Sequence, residues 1–212
     1  FEEFIKRGIP LNATQRRQVE SEQLQLPTYI DRLGIRNFLE TLWYPLYFLD
    51  FETFQTGVPM YDGLRPYQQV PFQYSLHILS ADGAALEHKE FLADEKCDPR
   101  RALAERLAAD IPTNACVLAY NKMFECSRLK ELAETFPDLA ERLLAICDNV
   151  RDLLDVFRQG YVYDRAMGGS FSIKKVLPAL FPNDPNLDYH NLADVHNGGE
   201  ATDTYLALRG ME

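Results

Sequence analysis

Residues 44–54 read YPLYFLDFETF. Leu46 to Leu49 run without a polar interruption, which suits a strand covered on both faces, and Asp50 and Glu52 follow at its carboxyl end. Side chains alternate along a strand, so acids separated by one residue share a face. A buried central strand ending in two convergent carboxylates organises everything around it. Downstream, VPFQYSLHIL (70–79) alternates Phe72, Tyr74, Leu76 and Ile78 against Gln73, Ser75 and His77, and predicts a second strand. LEHKEFLA (86–93) predicts a third. CDPRRALAERLAADI reads as a helix with Asp98 at its N-cap and Pro99 in the first helical position. ACVLAY (115–120) is a short strand of the buried parallel type, and Asn121 next to it suits the N-cap of a helix running through Phe136. Further helices are predicted from Asp138 to Cys147, Asp152 to Gln159, after Ser172, and Gly199 to Leu208. Upstream, residues 1–40 are polar, with helical patterns over 14–25 and 30–42, and form a helical lead-in or linker. Residues 41–212 then predict an α/β domain, a mixed sheet flanked by helices.

A chain of 212 residues fits one large domain with an appended segment, and 46% apolar residues can bury a core. The longest uncharged apolar stretch, Thr41 to Leu49, is far shorter than the roughly 20 residues needed to cross a bilayer. Nothing near Phe1 has the order of a signal peptide, so the expectation is a soluble, cytoplasmic piece of a longer protein. The net charge of −10 repels polyanions and argues against tight, nonspecific duplex binding. It leaves open an enzyme that grips a nucleic-acid end locally through cations held by acids. Cys97, Cys116, Cys126 and Cys147 form no CxxC pair, which argues against a zinc knuckle. Cys116 and Cys147 fit as small core residues in a reducing compartment.

Burying Asp50 and Glu52 costs free energy unless a cation neutralises them, and oxygen-only ligands favour Mg²⁺ or Mn²⁺. The alternative is a pair of solvated acids at a strand end. Glu125 heads the apolar stripe Leu129, Leu132, Ala133 and Phe136, so a carboxylate stands where the pattern asks for an apolar residue. It also follows a strand's carboxyl end, the edge where α/β sheets bind ligands. A first-turn Glu favoured by the helix macrodipole is the plainer explanation. In HNGGEATDTYLAL (196–208), His196 lies four residues before Glu200, and Asp203 three after it. An imidazole beside a carboxylate suits water activation; helix capping beside a surface His is the alternative.

Taken together, LDFET, AYNKMFE and HNGGEATDTYLAL resemble the three motifs of the DEDD superfamily, the DnaQ-like 3′-to-5′ exonucleases of RNase H-like fold. Residues 40–210 also resemble a bacterial family of unassigned function, often found carboxyl-terminal to a RecB-like nuclease module. The resemblance implies two Mg²⁺ or Mn²⁺ ions held by Asp50, Glu52, Glu125 and Glu200, with Asp203 an alternative ligand and His196 the general base. Glu stands at 125 and 200 where Asp is usual, and His196 precedes its acid by four residues where the His-type subgroup uses five. Asn121 and Asp152 take supporting places. Tyr61, Arg65 and Tyr67 lie where related enzymes grip the terminal nucleotide, although a loop packing its aromatics on the protein body explains them equally well. Lys174 and Lys175 are placed to meet phosphates. The implied activity is metal-dependent hydrolysis at single-stranded DNA or RNA ends. The alternative is a nuclease-fold accessory module that binds an end, or a partner nuclease, without cutting.

Overall fold

The computed structural model describes residues 6–188, 191 and 198–208. Its strands in chain order are β1 (Tyr29–Ile30), β2 (Leu46–Phe54), β3 (Val70–Leu79), β4 (Leu86–Leu92), β5 (Cys116–Ala119), β6 (Val150–Asp152) and β7 (Val162–Tyr163). Contacts divide the chain into two compact units: Phe1–Glu40 with Leu154–Ala193, and Thr41–Leu153 with Asp194–Glu212.

The second unit carries a five-stranded sheet in the order β4-β3-β2-β5-β6. β2 pairs antiparallel with β3 and parallel with β5, so the sheet is mixed and β2 is its centre. Alternation along the strands builds one packed face: Tyr47, Leu49 and Phe51 of β2 with Tyr74, Leu76 and Ile78 of β3, all buried. Leu103 and Leu107 of the Pro99–Asp110 helix close over it. So do Leu129 and Leu132 of the Met123–Thr135 helix, and Leu143 and Ile146 of the Ala140–Asp148 helix. Full cover on both faces of β2 is not realised. On the other face Phe48 is half-buried and Asp50 exposed.

Several local expectations are corrected. β6 lies where the sequence pattern starts a helix at Asp152; the helix runs Leu154–Arg158. A three-residue strand is too short to declare a period, and its pairing with β5 is a tertiary event. Asn121 is not an N-cap. It takes a left-handed conformation (φ 74°), which Asn tolerates, and turns the chain between β5 and a helix that starts at Met123. Asp138 precedes its helix by two residues and pairs instead with Arg101 at 2.7 Å. Asp98 does cap its helix, accepting from the Arg100 N–H at 3.1 Å with Pro99 behind it. All four cysteines are free thiols, with Cys116 and Cys147 buried. No helix among the described residues is long and apolar enough to cross a membrane.

In the first unit, the segment read as a lead-in joins residues 154–193. β1 pairs antiparallel with β7, setting Tyr29 opposite Tyr163 and Ile30 opposite Val162. Asn12 and Gln15 form a reciprocal capping box on the Ala13–Gln23 helix. Gly34 lies so close to Tyr161 that a Cβ would stand 2.4 Å from the ring. Gly34→Ala is therefore expected to destabilise this unit by about 1–3 kcal/mol, the usual cost of overpacking, measured by urea denaturation.

Candidate functional site

β2, β5 and β6 run parallel, with Phe48 level with Leu118 and Ala119 with Asp152, and β2 continues to Phe54 after β5 and β6 have ended. Asp50 and Glu52 therefore lie inside β2 and not at its end, because pairing with β3 carries the strand on to Phe54; Asp50 stands just past the end of parallel β5. Glu125 comes from the first turn of the Met123–Thr135 helix, four residues past the left-handed turn at Asn121. The Asn121 N–H donates to Asp152 Oδ1 at 2.9 Å, so these two residues meet and fix where the helix begins.

Glu125 is only 2% exposed, and its Oε2 has no hydrogen-bond partner among the described residues. Burial pushes its pKa up to about 8, against the main-chain N–H of Glu125 itself; the charges of Asp50 and Asp152 add to the rise, and Arg128 opposes it. Asp50 is open at the sheet surface, yet desolvation by the protein around it raises its pKa too, eased in part by the Phe51 N–H. The charges of Asp50 and Asp152 thus both reach the buried Glu125 carboxyl.

Glu52 faces a neighbouring cleft of about 470 Å³, which Gln55, Gln69, Phe124, Gly198, Thr202 and Asp203 also line. Its Oε2 lies 3.0 Å from where a Cβ on Gly198 would stand, so the glycine lets the Gly198–Leu208 helix start against the carboxylate. The positive end of the helix favours an acid there. Thr202 donates to the Thr53 carbonyl at 2.8 Å, and Tyr205 stacks on Phe72 with ring centroids 4.0 Å apart. Those contacts orient the helix: Asp203 is among the residues that line the cleft and Glu200 is not. Should the cleft hold Mn²⁺, Asp203→Asn is expected to weaken its binding about ten-fold or more in calorimetric titration, and Glu200→Gln to change it by less.

The loop residues divide. Tyr61 donates to the Cys97 carbonyl at 2.7 Å and packs beside Phe54 and Phe72, so it packs on the body of the protein. Tyr67 is 71% exposed with φ 58°, and its N–H donates to the Thr56 carbonyl at 2.9 Å. The Arg65 N–H donates to Gln68 Oε1 at 3.1 Å. Lys174 and Lys175 belong to the Ile173–Leu180 helix of the first unit. His196 lies outside the described residues. The pattern missed Gln55 and Gln69, polar loop residues with no periodicity to mark them. It also missed Arg128, only 8% exposed, which donates to Gln69 and to Glu131 at 2.8 Å. Its spacing of three from Glu125 on one helix was the available signal.

Among the described residues, no three His, Cys, Asp or Glu stand arranged to hold a metal ion. The donor chemistry still fits a hard cation: every acid offers oxygen, and the orphaned Glu125 Oε2 is a buried acceptor that a cation would satisfy. The profile of a domain of unknown function, DUF2779, matches residues 47–172. The chain belongs to the DUF2779 family. The match takes in Asp50, Glu52, Glu125 and Asp152, while Glu200 and Asp203 fall beyond it. Among curated proteins, the chain is 29% identical over 172 residues to an uncharacterized protein, the MG366 homolog of Mycoplasma pneumoniae, covering 73% of this chain and 26% of that protein. It is 30% identical over 156 residues to the uncharacterized protein UU173 of Ureaplasma parvum, covering 68% and 22%. The DUF2779 chain thus spans about a quarter of the length of these relatives. No solved structure gives a significant match.

Proposed function

We propose that this DUF2779 chain is a metal-dependent 3′-to-5′ exonuclease acting on single-stranded nucleic-acid ends. The observation that carries the reading is Glu125: a buried carboxyl with an orphaned oxygen, held beside Asp50 and Asp152 at the carboxyl edge of a mixed sheet. Burying the Glu125 carboxyl with an oxygen unsatisfied costs the fold free energy, and such perturbed groups cluster where chemistry is done. The five-stranded mixed sheet flanked by helices agrees with the RNase H-like fold that the motif resemblance implies.

In this reading Asp50 and Glu125 hold one side of the metal site, and Glu52 with Asp203 or Glu200 holds the other. Bound divalent cations would polarise the phosphodiester and acidify the attacking water. The cleft bounded by Phe124, Gln55 and Gln69 has the volume for a terminal nucleoside, with a ring to stack on and amides to hydrogen-bond. Asp152 fixes the turn that aims Glu125. The general base is assigned to His196 on the motif resemblance alone. A RecB-like nuclease module in the same longer protein is the proposed partner.

The test is degradation of 5′-labelled and 3′-labelled single-stranded DNA and RNA with Mg²⁺, Mn²⁺ or EDTA. Metal-dependent shortening from the 3′ end is expected. Binding of ends without metal-dependent turnover would assign the chain instead as an accessory module, the reading favoured by the absence of a pre-arranged ligand trio among the described residues.

A further inference from the structure

The face of the sheet that carries Asp50 and Glu52 continues across β3 and β4. Register places Ser75 opposite Asp50 and Gln73 opposite Glu52, then Glu90 opposite Ser75 and His88 opposite His77. Alternation gives these side chains the same face as the acid pair. His77 and His88 are stacked, with ring centroids 4.3 Å apart and 20° between planes. Ser75 Oγ lies 3.0 Å from His88 Nε2 and fixes the rotation of that ring. His88 is exposed on β4, an edge strand, and His77 is half-buried behind it, so the outer ring presents a flat face backed by a second one.

We infer that the His77–His88 pair is a base-stacking platform for single-stranded nucleic acid, holding the strand upstream of the scissile phosphate. The inference rests on the proposed exonuclease reading. Strand spacing of about 4.8 Å and a rise of about 3.4 Å per residue put the His88 Cα roughly 12 Å from that of Asp50, within reach of a strand a few nucleotides long. The neighbours decide which part of a nucleotide meets the rings. Glu90 and Asp50 are the charged groups on this face beside the pair, and both repel phosphate. Leu86 and Leu92 flank His88 and Glu90 on β4, 58% and 56% exposed, and offer apolar surface. A base, with its π-face, fits such a surface; a phosphate does not. An exposed ring held in one rotation also loses little entropy when a base settles on it.

The test uses the full chain in Ca²⁺ or EDTA with fluorescein-labelled thymidine hexanucleotide and dinucleotide, read by anisotropy. His88→Ala and His77→Ala should each weaken hexanucleotide binding about ten-fold, the scale of one lost stacking contact, and His88→Phe should restore it. Unchanged affinity in the alanine variants would overturn the platform. Failure of His88→Phe to restore binding would replace stacking with a polar contact through the imidazole nitrogens, and so overturn it too. Hydrolysis of thymidine 5′-p-nitrophenyl phosphate by the unaltered chain with Mn²⁺ tests the parent reading separately. If that diester is cleaved but the hexanucleotide binds no tighter than the dinucleotide, only the platform fails. If neither substrate is cleaved or bound, the exonuclease reading falls and takes the platform with it.

Discussion

Asp50→Ala is expected to reduce degradation of a 3′-single-stranded end by about 10³-fold or more, the scale seen when one member of a catalytic unit is lost. Asp50 is the central strand's contribution to the carboxyl edge, and it stands between two groups. On one side is Glu125, whose ionisation it disturbs; on the other is Glu52, two residues along the same face. Removing it leaves each of the others without the partner that would share a cation. Asp50→Asn preserves the shape and removes the charge, so it should fail nearly as completely. Because Asp50 is exposed and outside the packed core, neither change should unfold the sheet. Circular dichroism of both variants checks that point. A folded Asp50→Asn protein that still degrades ends at near-normal rate would show that the acids at this edge do not carry the reaction.

The strand that decides the fold was legible because its chemistry is local. Leu46 to Leu49 and the alternation of β3 announce themselves within ten residues, and Asp98 with Pro99 states where a helix starts. Glu125 was legible for a related reason: a carboxylate interrupts a stripe whose other members are buried, and such an interruption demands an explanation. What escaped was set by pairing between distant segments. Three residues at Val150–Asp152 and two at Tyr29–Ile30 become strands only because β5 and β7 receive them, and neither is long enough to show a period. The same limit hid the first unit, where residues 154–193 join the lead-in through β1 and β7. That Asp203 lines the cleft depends on the rotation of a helix. That rotation is fixed by Thr202 on Thr53 and Tyr205 on Phe72, contacts that the motif does not encode.

Glu125 also makes a prediction about stability that needs no substrate. Its carboxyl titrates near 4.5 when unperturbed and at about 8 in the folded chain, chiefly because it is buried. Between those values the folded protein keeps a proton that the unfolded chain releases, so ν_N exceeds ν_U and stability falls as pH rises. The loss begins near pH 4.5, accumulates at about 1.4 kcal/mol per pH unit, and levels off above pH 8, a total of a few kcal/mol. Asp50, also raised, contributes with the same sign. Asp110 and Asp138 act oppositely, since their lowered pKa values contribute stability that is lost toward acid pH. The difference between the unaltered chain and Glu125→Gln isolates the wanted effect. In EDTA, Glu125→Gln should be the more stable of the two at pH 8, and the gap should close toward pH 4.5. Thermal melts across that range measure it. Adding Mn²⁺ at pH 8 should then raise the melting temperature of the unaltered chain, because a cation satisfies the ionised carboxylate, and leave Glu125→Gln nearly unmoved. Parallel pH profiles for the two proteins would mean that Glu125 ionises freely in the fold. Equal stabilisation of both by Mn²⁺ would place the cation elsewhere.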